Sequence, residues 1–144
     1  MSIQMKTLSL IVLFLITAMT LSFARIGDNE KQIEARYGKA GRDMGTHGNV
    51  HQMGYVAGGF MILVDYVDGI CQREGFANPD TSPLKDDAIL QILKMSLPEG
   101  TGWQLGPSTG ADKSWRRTDG KAVAILPANG IFLFVQNPEY VPQK

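Results

Sequence analysis

The chain has 144 residues, with 14 basic and 14 acidic side chains and a formal net charge of zero. That balance, with no Lys/Arg run longer than Arg116-Arg117, argues against the basic stripe that tracks a nucleic-acid backbone. The single cysteine, Cys71, leaves no intramolecular disulfide, so stability has to come from a packed core.

The first segment reads as an address. Leu8 to Leu21 is an apolar run after Lys6, short for a membrane span, and Ser22-Phe23-Ala24 offers the small residues that signal peptidase requires. Residues 1–24 are therefore expected to be a signal peptide, with an uncleaved N-terminal anchor as the alternative. No cysteine stands directly after the cleavage site to carry a lipid. The mature chain, 25–144, keeps 13 basic against 14 acidic side chains. It has the size of one domain burying about 65% of its unfolded surface, and no stable membrane insertion is expected after cleavage.

Next comes a helix signal: Asp28 as cap, Glu30 in the first turn, Ile33 and Tyr37 four apart, Gly38 as stop. Lys39 to Val50 is glycine-rich and aperiodic, the signature of a loop, and His47 and His51 fall in it and just after it. Gly54 to Phe76 writes out three strands joined by Gly58-Gly59 and Asp68-Gly69, two-residue turns of the kind that need positive φ. In the central strand, Phe60, Ile62, Val64 and Tyr66 share one face. Met61, Leu63, Val67 and one charge, Asp65, share the other.

A second helix is expected after Ser82 as cap and Pro83 at its first position, carrying the stripe Leu84, Ala88, Ile89, Ile92 and Leu93 and ending at Leu97-Pro98. Glu99 to Asp112 is a second glycine-rich loop, with Trp103 in it. Three more strands follow, Lys113–Thr118, Lys121–Ala128 and Ile131–Asn137, turning at Asp119-Gly120 and Asn129-Gly130, with positive φ expected at both Asn129 and Gly130. The layout reads as an internal duplication of a helix, loop and three-strand unit over about 26–78 and 79–140. The fold class expected is α+β: six antiparallel strands in two meanders, with two helices on one face.

Ile26 to Ala40, IGDNEKQIEARYGKA, resembles the opening of the SmpA/OmlA (BamE) family of small outer-membrane lipoproteins. In that family a glycine, a short helix and a terminal glycine precede an antiparallel meander. The chain departs from the pattern in having Lys39-Ala40 where the family usually has a proline, and in lacking the lipidated cysteine. The duplicated layout is similar to that of the β-lactamase inhibitor protein family. These resemblances imply a small periplasmic domain and an inhibitor-like, protein-binding role.

Chemistry is sparse. His47 and His51 are four apart in a segment that glycines keep from being a helix, with no third ligand nearby, so a solvated pair is favoured over a metal site. Cys71 has no activating partner and reads as a buried, inert thiol. Asp65 interrupts an apolar face and needs a partner; pairing across the Asp68-Gly69 turn sets it opposite Gln72, with Arg73 on the diagonal. Asp86-Asp87 suits a helix first turn. Trp115 is expected to pack on the core, whereas Trp103 is either a loop anchor for a partner or, more readily, a lid over the core. No nucleophile–base order, phosphate loop or cofactor fingerprint is present, so no cofactor and no catalytic residue is assigned. The function expected is an exported, non-catalytic protein-binding or inhibitor-like module, periplasmic or secreted, with an unknown protein partner. Trp103, His47, His51 and Trp115 are its candidate binding residues. The alternative is a small-ligand binder or weak hydrolase using a cleft beneath the two glycine-rich loops.

Overall fold

The computed structural model describes residues 26–39 and 41–143. The expected leader, its cleavage site after Ala24 and the anchor alternative lie outside the described residues. Among the described residues no helix is long and apolar enough to cross a membrane.

Helix α1 spans Glu30–Tyr37 and is capped by Asn29 rather than Asp28. The Asn29 side chain accepts from Gln32 N at 3.0 Å, and the Gln32 side chain accepts from Asn29 N at 2.9 Å, which satisfies two free amides reciprocally. Asp28 is diverted to Arg36 at 3.2 Å, while its carbonyl accepts the Cys71 amide at 2.8 Å.

Eight strands follow in two runs. The first is β1 Arg42–His47, β2 Val50–Ala57, β3 Phe60–Val67 and β4 Ile70–Ala77. Helix α2, Asp86–Met95, leads to β5 Trp103–Leu105, β6 Lys113–Arg117, β7 Val123–Leu126 and β8 Leu133–Gln136. They make one antiparallel sheet in the order β1-β2-β3-β4-β8-β7-β6-β5. The antiparallel sheet with few helices is of the α+β kind, but the expectation of six strands in two meanders is wrong, and the repeat unit of helix, loop and three strands goes with it. Each glycine-rich segment contributes an edge strand, β1 or β5, because a chain pairs through its backbone amides and carbonyls without needing an apolar face. The runs then fuse where β4 pairs with β8, from Arg73 opposite Gln136 to Phe76 opposite Leu133.

The turns also divide. Gly58-Gly59 (φ 61° and 82°) and Asp68-Gly69 (φ 52° and 77°) are left-handed at both positions, as the hairpin requires. Asp119-Gly120 and Asn129-Gly130 are left-handed only at the glycine, which corrects the expectation for Asn129. There the glycine amide returns to the carbonyl three residues back, Arg117 at 2.8 Å and Pro127 at 2.9 Å. The Asp119 and Asn129 side chains accept the amides two residues ahead, Lys121 and Ile131. Those side-chain bonds stabilise a wider turn and shorten the flanking strands.

Helix α2 starts after Lys85, which makes no side-chain cap bond. Ser82 and Pro83 stay outside it because the Leu84 amide is taken by the Gly130 carbonyl at 2.8 Å, and Ser82 Oγ turns to Asp80 at 2.6 Å. Asp86 and Asp87 occupy the first turn, where the helix dipole favours them.

One sheet face holds the core. Tyr55, Phe60, Ile62, Val64, Tyr66, Phe76, Leu133 and Val135 are buried together with Ile33 and Tyr37 of α1 and Ile89, Ile92 and Leu93 of α2. Both helices therefore cover the same face. At about 1.5–3 kcal/mol for each fully buried large apolar side chain, this layer is what holds the fold. The opposite face carries no helix.

Candidate functional site

Strand alternation and register decide which side chains stand on the helix-free face. Residues directly opposite one another share a face, so the row from Ser114 through Ile125, Phe134, Gly75, Leu63 and Gly54 to Arg42 crosses the sheet. A second row runs Gln104, Arg116, Val123, Gln136, Arg73, Asp65, Gln52. Val56 and Met61 extend the surface beyond the first row, with Val56 74% exposed.

At its centre lies a stack built on Gly75. A Cβ there would stand 2.9 Å from Phe134 Cε1, so the missing side chain is what lets the ring lie on the strand. Phe132 stacks on Phe134 at 5.6 Å, and the Arg73 guanidinium sits 4.7 Å from the centre of the Phe134 ring and 5.6 Å from that of Tyr140. The same guanidinium donates to Asp65 Oδ2 from Nε at 2.9 Å and from Nη2 at 2.7 Å. Tyr140 OH donates to that oxygen at 2.9 Å, and Gln52 Nε2 to Oδ1 at 2.8 Å. Asp65 is 2% exposed, and four donors compensate its buried charge. Burial, with the neighbouring Asp65 carboxylate, pushes the Tyr140 hydroxyl up to about 12.

The expected pairing of Asp65 with Gln72 is incorrect. A bulge places Asp65 opposite Arg73 and Tyr66 opposite Cys71, leaving Gln72 as the extra residue. Gln72 instead holds the start of the C-terminal segment: its side chain accepts from Asn137 Nδ2 at 3.1 Å and its carbonyl from Asn137 N at 2.9 Å. That segment carries Tyr140 and Gln143 over one end of the face, and together with His47, Val50, Gln52, Asp65 and Arg73 they line a cavity of about 240 Å³.

The sequence-derived candidates do not converge. His47 lines that cavity, whereas His51 stands on the opposite face, its Nε2 3.1 Å from the Asp43 carboxylate Oδ1 and its ring 6.3 Å from that of Tyr66. No group of three or more His, Cys, Asp or Glu able to hold a metal occurs among the described residues. Trp103 lies in β5 on the helix side, half-buried against the core, with Nε1 donating to Leu93 O at 2.7 Å. Trp115 packs on the core from the same side. Neither tryptophan is on the helix-free face. Cys71 is fully buried, and burial pushes its thiol well up, so it is held protonated.

Sequence reasoning missed Glu74, Phe134 and Tyr140. Glu74 is wholly buried beneath α1, accepting from Tyr37 OH at 2.7 Å through Oε1, while Oε2 finds no hydrogen-bond partner among the described residues. Burial pushes its carboxyl up to about 8, against the hydrogen bond from Tyr37, so at neutral pH most of it is protonated. Its spacing of two from Phe76 put it on the core face, and that signal was in the sequence. Compared with family models, curated proteins and solved structures, the chain matches none.

Proposed function

We propose that the chain is an exported, non-catalytic protein-binding module of inhibitor-like type that acts through the helix-free face of its sheet. The observation that carries this is the composition of that face. It presents a field of Met61, Leu63, Ile125, Phe132 and Phe134, arginines stand at Arg42 and Arg116, and Asp65, the one carboxylate among its described strand residues, is already neutralised by Arg73. Aromatics and Arg around an apolar centre are the composition of an interface core, whereas the solvent side of an antiparallel sheet ordinarily alternates to polar residues.

The small-ligand or hydrolase reading has its material in the 240 Å³ cavity with His47 and Asp65. It is the weaker reading because every bond Asp65 can use is committed within the fold, and the lining residues offer no hydroxyl or thiol nucleophile beyond the Tyr140 phenol.

A photo-crosslinking residue placed singly at Val56, at Ile125 and at Leu90, which is exposed on α2, separates the faces in the native host. Discrete protein adducts from Val56 and Ile125 with none from Leu90 are expected. Adducts from Leu90 alone, or from no site, would remove the proposal.

A further inference from the structure

At the β1 corner of the sheet is a pocket of about 330 Å³, at the small end of the range for ligand sites. Its floor is Gly54, and Met44, Val56, Met61 and Leu63 line it. Two thioethers among these make a wall that adapts to an irregular apolar shape. The inner end is closed by Tyr37 and Tyr55, whose hydroxyls are already turned to Glu74 and to Tyr66, leaving the rings to face a ligand. Lys39 and Arg42 are its only charged lining residues, and neither forms an ion pair among the described residues. An apolar cleft with two cations beside it and no carboxylate to neutralise them is complementary to one kind of molecule.

We propose that this pocket binds a medium-chain alkyl carboxylate, its chain lying over Gly54 between Met44, Met61 and Leu63, and its carboxylate meeting Arg42 and Lys39. Arg42 offers the planar fork that matches a carboxylate, and Lys39 adds a second, mobile charge. The pocket shares Arg42, Val56, Met61 and Leu63 with the face proposed to bind a protein, but the inference does not rest on that reading, because its test uses the purified chain and no protein partner.

Gly54 supplies an obstruction test. A Cβ there would lie 3.7 Å from Met44 Sδ and 3.8 Å from a Leu63 methyl, ordinary contact distances, and its φ is not in the left-handed region. Gly54→Val should therefore fold, with a residue well suited to a strand, while filling the floor. Arg42→Glu alters an exposed side chain on an edge strand and serves even if the valine variant does not fold.

The experiment is isothermal titration of the purified chain with decanoate, decanol and decylammonium below their micelle-forming concentrations. Decanoate should bind saturably and about tenfold or more tighter than decanol, the gain expected of charge-assisted hydrogen bonds, with decylammonium not binding. Arg42→Glu should lose about tenfold or more for decanoate while leaving decanol unchanged, and Gly54→Val should lose both. Equal binding of decanoate and decanol, decanoate affinity unchanged in either folded variant, or no saturable binding of decanoate would overturn the proposal.

Discussion

The two four-stranded runs share one sheet and obey different rules. In β1–β4 the strands have 6, 8, 8 and 8 residues; in β5–β8 they have 3, 5, 4 and 4. The first run supplies the large core residues Tyr55, Phe60, Ile62, Tyr66 and Phe76. The second supplies Ala122, Ala124, Leu126, Leu133 and Val135. The difference begins in the turns. Where both central residues accept positive φ, the ladder runs to the end of the strand. Where Asp119 or Asn129 bonds its own backbone ahead, the chain spends those residues on the turn. An Asp-Gly pair thus gives a tight hairpin at Asp68 and a wide one at Asp119.

If the first run carries the core, its deletion mutants should dominate. Phe76→Ala, at a site with no exposure, should cost about 3–5 kcal/mol, and Leu126→Ala, at the rim of the second run, nearer about 2 kcal/mol. Urea midpoints at constant m-value measure both, and equal losses would break the contrast.

The next largest effect is pH-dependent and belongs only to the first run. Glu74 has its ordinary carboxyl affinity when unfolded and titrates near 8 when folded, because burial favours the protonated acid. The native state therefore binds the extra proton between those values, and stability should be full below about pH 4.5 with respect to this group. It should fall as pH rises toward 8 and level off above it. Melting temperatures of the parent and Glu74→Gln across pH 5 to 8.5 test this. The parent should decline with pH relative to the variant, and parallel curves would show that the carboxyl is not buried as described.

The smallest effect sharpens the turn argument. Gly59→Val and Gly130→Val should each cost about 1–2 kcal/mol from left-handed strain, since both residues lie at positive φ in open or ordinary contact. Asn129→Gly should destabilise by about 0.5–1.5 kcal/mol, because it removes the side-chain bond to Ile131 N and relieves no positive φ, whereas Asp68→Gly should stabilise slightly by relieving strain at φ 52°. Chemical denaturation resolves the glycine-to-valine pair, and a stabilising Asn129→Gly would mean the second-run turns are of the tight kind after all.

Much of the first run was legible from residues alone. The alternation in Phe60 to Val67 places Tyr66 on the core face and Asp65 on the other, and both are found there. The stripe Ile89, Ile92, Leu93 located the buried side of α2. What stayed hidden was non-local or polar. Strand β1 has no apolar period because it is a sheet edge, exposed over most of its length. The Gln72 bulge inverts the face of every β4 residue on one side of it, which is why Arg73 lies opposite Asp65 and not on the diagonal. The continuous helix-free face needs β4 to meet β8, and no local pattern announces a pairing of Arg73 with Gln136. The candidate residues chosen from sequence were loop aromatics and histidines, whereas Phe134 and Tyr140 join Arg73 only through that pairing and the returning C-terminal segment.

The join between β4 and β8 also bears on how the molecule is made. Every other strand pair links neighbours in sequence and can zip from its turn, but this one closes a loop of some sixty residues, and the Tyr140 bond to Asp65 spans 75. Loop-closure entropy makes such contacts late, so the two runs would form their hairpins first and wait for the seam. Until it closes, β4 and β8 are unpaired edges of the kind that recruit a second chain. The stack of Phe134, Arg73 and Tyr140 sits on that seam. The centre of the surface proposed to recognise a partner is thereby assembled in the last step of folding, and the separate hairpins carry only its two flanks.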